Sequence, residues 1–170
     1  MNEPHAAFYY NGYYHLFYQS NPNGPYWAQI RWSHWVSTDM VHWEYVKEAV
    51  VPTRGICPDG VWTGGAVIGP DGTPWLVITA GTTTTSYSGQ NIAFAHCVDP
   101  TDPYLTEWVV EDTVAIMQEP GMGEQNQFRD PFIWKDDGVY YMMMGSGYEG
   151  TWGGALMCTS EDMRDWEYEG

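Results

Sequence analysis

The 170 residues suffice to bury a sizeable core and fit one domain by default. With 22 acidic residues against 6 basic ones and a formal net charge of -16, the chain repels polyphosphate. Nucleic acid is therefore excluded as a partner, and a phosphorylated sugar is disfavoured, because phosphate is met by Arg, Lys or a helix N-terminus. No apolar stretch is long enough to span a membrane, and none is expected as a partner.

Aromatic residues make up 16% of the chain, and 19 Gly and 11 Pro punctuate it, the balance of an all-β chain of short strands and tight turns. From the N-terminus, residues 6–10 and 13–18 read as strands joined at Asn11-Gly12, a pair suited to a type I′ turn because both residues tolerate the left-handed conformation. A third strand is expected over 30–37, then the turn Ser37-Thr38-Asp39-Met40-Val41-His42-Trp43, then a short fourth strand at Glu44.

The same order returns twice. Strands at 66–68 and 74–78 flank Asp71-Gly72, a third covers 91–98, and a short fourth begins at Trp108. Strands at 132–134 and 139–144 flank Asp137-Gly138, a third covers 154–160, and the turn Ser160-Glu161-Asp162-Met163-Arg164-Asp165-Trp166 leads to a fourth at Glu167. Units of about 60 residues with four antiparallel strands each describe the blades of a β-propeller. No segment shows the sustained helical periodicity that a (βα)8 barrel or a dinucleotide-binding fold needs. A closed ring takes four to eight blades and roughly 2.7 units fit here, so both ends are expected to be cuts within a longer domain. Residues 1–170 then form a partial propeller, and cytoplasmic and secreted locations both stay open.

Cys57, Cys97 and Cys158 form no CxxC or CxC pair, so neither a disulfide framework nor a zinc site is indicated; Cys97 and Cys158 sit in apolar runs and read as core. His5, His15, His34, His42 and His96 lack metal-ligand spacing and read mostly as packing or hydrogen-bonding residues. No metal or cofactor is predicted. Trp43, Trp108 and Trp166 are expected in the core, 121–126 as a flexible loop at a pocket rim, and 82–85 as another loop.

Eight or nine residues ahead of the turn glycines lie Glu3, Thr63 and Asp130, equivalent positions on the first strand of each unit. First strands of a propeller line its central channel, so these three are expected to converge. Glu3-Pro4 and Asp130-Pro131 place both acids before proline, which favours an extended backbone. Arg129 neighbours Asp130, although adjacent strand residues point to opposite faces. An isolated acid before proline is ordinarily a strand end or turn; two acids in matching register make an axial pair an equal alternative.

The ordered segments Met1-Asn2-Glu3-Pro4-His5, Phe17-Tyr18-Gln19-Ser20-Asn21-Pro22, Trp62-Thr63-Gly64-Gly65 and Arg129-Asp130-Pro131 resemble the successive motifs of glycoside hydrolase family 32. The resemblance implies a five-bladed propeller, with roughly its first three blades here, acting on neutral fructose-containing oligo- or polysaccharides. It implies retaining cleavage of terminal β-D-fructofuranosyl linkages in sucrose or fructans, with Glu3 at the nucleophile position and Asp130 as transition-state stabiliser. Asn2, Gln19, Trp27, Trp62, Thr63 and Arg129 fall at substrate-binding positions.

Two departures stand out. The family's nucleophile is normally Asp in an Asn-Asp-Pro-Asn motif, where this sequence has Glu3-Pro4-His5. The family's acid/base Glu lies in a Glu-Cys pair, and none occurs in these residues; Glu149, in a Gly-rich loop, and Glu161, in the repeated turn, read as solvated acids. Without its proton donor the fragment alone is expected to be inactive. Fructosyl transfer on the same scaffold and sugar binding without turnover stand as alternatives.

Overall fold

The computed structural model describes residues 2–82, 89–148 and 150–170. Met1 of the first motif, Glu149 and residues 83–85 of the second expected loop lie outside them. All regular structure described is β, in three four-stranded antiparallel sheets, each laid down in chain order. The first holds β1 (Asn2–Tyr10), β2 (Tyr13–Ser20), β3 (Arg31–Ser37) and β4 (Glu44–Val50). The second holds β5 (Gly60–Ile68), β6 (Pro74–Gly81), β7 (Gln90–Cys97) and β8 (Trp108–Met117). The third holds β9 (Arg129–Asp136), β10 (Val139–Tyr148), β11 (Trp152–Ser160) and β12 (Glu167–Tyr168).

Two of the three hairpin turns take the expected form. Asn11 and Gly12 sit at φ +47° and +91°, and Asp137 and Gly138 at +43° and +88°, the paired left-handed residues of a type I′ turn. The middle hairpin differs. Gly72 alone has positive φ, and residues 69–73 form a wider loop in which the Asp71 carboxylate accepts the Thr73 N–H at 3.0 Å. Asp71 thus uses its side chain to turn the chain and keeps an ordinary backbone. The fourth strand β8 is also longer than expected, running ten residues with Val110 and Val114 packed into one core and Ile116 into another.

The repeated turn has a local cause. Ser37 Oγ accepts the Asp39 and Met40 N–H groups, Asp39 Oδ1 accepts those of Val41 and His42, and Trp43 Nε1 donates to the Met40 carbonyl. Ser160, Asp162 and Trp166 repeat every one of these bonds. In the middle unit Asp102 takes over, accepting the Tyr104 and Thr106 N–H groups.

Two of the three turn tryptophans pack back onto the preceding sheet. Trp108 meets Phe17 of the first sheet edge-on at 5.7 Å, and Trp166 stacks on Phe94 of the second at 6.1 Å. Trp108 belongs to the core between the first and second sheets, and Trp166 is half-buried against the core between the second and third. Trp43 is not core: no sheet precedes its own among the described residues, so its ring stays partly exposed outside both clusters.

The two cores are the two sheet interfaces. Phe17, Trp32 and Val50 of the first sheet pack on Leu76, Ile78, Ala93 and Cys97 of the second. The opposite face of the second sheet presents Val77, Ile92 and Phe94 to Ile133, Met142, Met144 and Cys158 of the third. Being covered on both sides, the middle sheet has the near-continuous buried runs of β6 and β7, while β2 and β10 alternate. Each fully buried aliphatic side chain contributes about 1.5–3 kcal/mol. All three cysteines are buried and free.

The first sheet also buries a histidine pair. His15 and His34 share a hydrogen bond of 3.0 Å, stacked between Phe8 and Phe17. Burial holds His15 down at about 4 from its ordinary 6.5, against the nearby charge of Asp102. Burial and the neighbouring imidazole likewise lower His34. The unfolded chain therefore binds more protons than the folded one below pH 6.5, so this contribution to stability is intact above that value and lost as pH falls towards about 4. Urea unfolding midpoints are expected to drop between pH 7 and 5, and the drop to flatten in the double variant His15→Phe/His34→Phe.

Candidate active site

Three backbone irregularities build the site. On β1, Asn2 pairs with Gln19 and Pro4 with Tyr18, leaving Glu3 as an extra residue. On β5, Trp62 pairs with Thr79 and Gly64 with Ile78, leaving Thr63. On β9, Arg129 pairs with Gly145 and Phe132 with Met143, so Asp130 lies in the same kind of irregularity. A bulge bends its strand and re-aims a side chain. The residues equivalent by sequence register are thus the bulged residues of their sheets.

The backbone expectation for the two acids is corrected here. Glu3 has φ +38° and Asp130 φ +57°, the left-handed region, where an extended conformation was expected before proline. The bulge overrides the local preference, because the proline that follows brings no N–H and leaves no ladder bond unmade. Such backbones are uncommon for non-glycine residues and persist only where the surroundings over-determine them.

Those surroundings form one hydrogen-bonded chain across all three sheets. Thr63 Oγ1 donates to Glu3 Oε2 at 2.7 Å and accepts from Gln19 Nε2 at 2.5 Å. Gln19 Nε2 also reaches Glu3 Oε2 at 3.4 Å. The Thr63 carbonyl accepts from Thr79 Oγ1 at 2.7 Å, and Thr79 Oγ1 accepts the Asp130 N–H at 2.9 Å. Glycine makes two close approaches possible: within the second sheet a Cβ on Gly64 would stand 2.0 Å from the Val77 carbonyl oxygen, and between the second and third sheets one on Gly65 would stand 3.1 Å from that of Pro131. This accounts for Trp62-Thr63-Gly64-Gly65 as a structural unit.

The other expected site residues fall around this chain. Gln19 is 2% exposed, and its Oε1 is buried without a partner, an acceptor facing the acids' side of the sheet. Asn2 is exposed and directly opposite Gln19 in the ladder. Trp27 is 60% exposed with its ring 6.3 Å from that of Trp62, whose carbonyl is held by Trp32 Nε1. Arg129 Nε lies 3.8 Å from Asp130 Oδ2, because the bulge brings these adjacent side chains to one side instead of opposite faces. Its guanidinium also donates to the Asn126 carbonyl, to which Gln90 Nε2 donates at 2.7 Å. The 121–126 loop is thereby tied to the acid cluster. Glu161 is exposed in its turn.

The electrostatics link the two carboxyls. Partial burial pushes Asp130 above the usual carboxylate range, the Arg129 guanidinium pulls it down, and the Glu3 charge pushes it up again. Asp130 therefore senses the Glu3 charge from a separate sheet. A groove of about 580 Å³ elsewhere, lined by Asp71, Trp75, Glu111 and Asp162, shares none of these residues. Its acids are engaged locally, Asp71 by Thr73, Glu111 by His96 and Asp162 by its own turn.

Thr79, Gln90 and Asn126 were not singled out by sequence. Thr79 is the available signal: a hydroxyl inside the apolar strand β6, which has to find partners there.

The family model for the N-terminal domain of glycosyl hydrolases family 32 matches residues 1–170. A fructan 1-exohydrolase of Triticum urartu is 41% identical over 98% of this chain and 28% of its own length. An acid beta-fructofuranosidase of Vigna radiata var. radiata is 39% identical over 98% of this chain and 25% of its own. The crystal structure of fructan 1-exohydrolase IIa from Cichorium intybus superposes with a TM-score of 0.89 at 31% identity, covering 99% of this chain and 31% of that one. The chain thus spans less than a third of each of these proteins.

The charge coupling sets two opposite expectations. In a carbon-detected NMR titration, Glu3→Gln is expected to lower the Asp130 midpoint and Arg129→Gln to raise it. Equal midpoints in both variants would place the three groups out of electrostatic reach.

Proposed function

Because the chain belongs to the glycosyl hydrolases of family 32, we propose that the protein carrying it cleaves terminal β-D-fructofuranosyl linkages in sucrose or fructans. The single observation supporting this most strongly is the meeting of Glu3 and Asp130 through Thr63 and Thr79. In the proposed reaction Glu3 attacks the anomeric carbon of the fructosyl unit, and the bond to the leaving oxygen breaks as that oxygen takes a proton. Water then displaces Glu3 with retained configuration. Asp130 balances the positive charge that develops on the ring and accepts hydrogen bonds from its hydroxyls, with the Arg129 guanidinium favouring its charged form.

Substrate contacts are proposed for the groups that face these acids. The Trp27 and Trp62 rings supply apolar surface to one sugar face, and Asn2, Gln19 and Thr63 read hydroxyls. A neutral sugar suits this strongly acidic surface, which repels phosphate. The proton donor is proposed to come from the rest of the protein. The three sheets are then the first blades of a five-bladed ring, with residues 1–170 as part of its catalytic domain and the first strands lining its channel.

Fructose release from sucrose, inulin and 1-kestose tests the proposal on the full-length protein. Glu3→Gln is expected to lower kcat by at least about a thousandfold and Asp130→Asn by about a hundred- to a thousandfold. Products longer than the substrate at high sugar concentration would instead indicate transfer. If neither the wild type nor Glu3→Asp released fructose from any of these sugars, the hydrolase assignment would be lost.

A further inference from the structure

We infer that Thr79 is a positioning residue for Asp130, an inference that rests on the proposed role of Asp130 in catalysis. Thr79 lies on the central strand β6, 0% exposed, between Ile78 and Ala80, which are also fully buried. A valine of the same shape would suit an apolar strand better, since an unpaired hydroxyl is costly there. The hydroxyl is accounted for by its two partners. The Thr63 carbonyl can only accept and the Asp130 N–H can only donate, so the hydroxyl proton points at Thr63 and a lone pair at Asp130.

Both partners belong to bulged residues, whose backbone groups the strand ladders leave over. Thr79 collects one from its own sheet and one from the next. Its branched Cβ restricts the first side-chain torsion, so the oxygen that receives the Asp130 N–H is fixed in place. Asp130 at φ +57° needs such a constraint, because Pro131 favours an extended backbone there and Thr79 anchors the Asp130 N–H in the conformation adopted. The carboxylate is thus aimed from the second sheet. Thr63, whose carbonyl takes the same proton, carries the side chain that holds Glu3, so Thr79 also fixes the two acids relative to each other.

The test uses the full-length protein, with kcat and KM measured on sucrose for Thr79→Val, Thr79→Ser, Asp130→Asn and the double variant. Thr79→Val is expected to lower kcat about a hundredfold, the loss that follows a misplacement of about 1 Å, with KM nearly unchanged. Thr79→Ser restores the hydroxyl and is expected to recover most of kcat. Added to Asp130→Asn, Thr79→Val is expected to cost little more, because its effect runs through the residue already altered. A folded Thr79→Val with wild-type kcat, or a full multiplicative loss in the Asp130→Asn background, overturns the inference. Should Thr79→Val fail to fold by circular dichroism, Thr79→Cys is read by the same criteria. Should the wild type release no fructose, the functional proposal fails separately. The positioning is then read from the NMR titration of the Asp130 carboxyl, where an unmoved midpoint in the folded variant overturns it.

Discussion

The three sheets share no ladder, so their inner strands are aligned largely by groups the ladders do not use. In this chain those groups come from the bulges at Glu3, Thr63 and Asp130. Between the first two sheets a hydroxyl-to-carboxylate bond stands beside the bond from the Trp32 indole to the Trp62 carbonyl and that from the Val61 N–H to the Ile30 carbonyl, and a hydroxyl bridging a carbonyl and an amide joins the second sheet to the third. Gly65 admits the Pro131 backbone of the next sheet, and Gly64 that of Val77 within its own. The hydrophobic interfaces bring the sheets together without setting their position to a fraction of an ångström; the polar chain at the inner strands does that.

The middle sheet carries a different burden from its neighbours. It is buried on both faces and supplies Thr63 and Thr79, the two threonines through which the acids are connected. Neither acid belongs to it. The proposed reacting groups therefore sit on the flanking sheets, while the sheet packed on both faces connects them, an arrangement suited to a site whose geometry has to survive substrate entry.

What was legible in sequence was local. Asn11-Gly12 and Asp137-Gly138 announce their turns because the chemistry is complete within two residues, and the Ser-x-Asp-x-x-x-Trp turn satisfies its own N–H groups. The matching of Glu3, Thr63 and Asp130 was legible too, through their distance from the turns. Their bulges were not, since a bulge is a property of two strands and its partner residue lies across the sheet. The preference of a residue before proline pointed to extended backbone at Glu3 and Asp130, and tertiary constraint overrode it. Trp43 shows the same limit: its turn repeats those of Ser160 and Trp166, but its burial depends on a neighbouring sheet.

The glutamate at position 3 gains meaning in this setting. A longer side chain adds one torsion between backbone and carboxylate, and with it freedom that a nucleophile in a tight site has to lose. Here the first restraint is the left-handed backbone at φ +38°, braced from within by the bond from His5 Nδ1 to the Glu3 carbonyl at 2.8 Å. His5 in turn packs against Trp32 with ring centres 4.1 Å apart, and the Trp32 indole holds the Trp62 carbonyl. The second restraint is at the far end, where Thr63 and Gln19 fix Oε2 from another sheet and another strand. A side chain clamped at both ends has little torsional freedom left. Its carboxylate position is then governed by the spacing of the first two sheets more than by its own length, which is how a glutamate can serve in the role proposed for it.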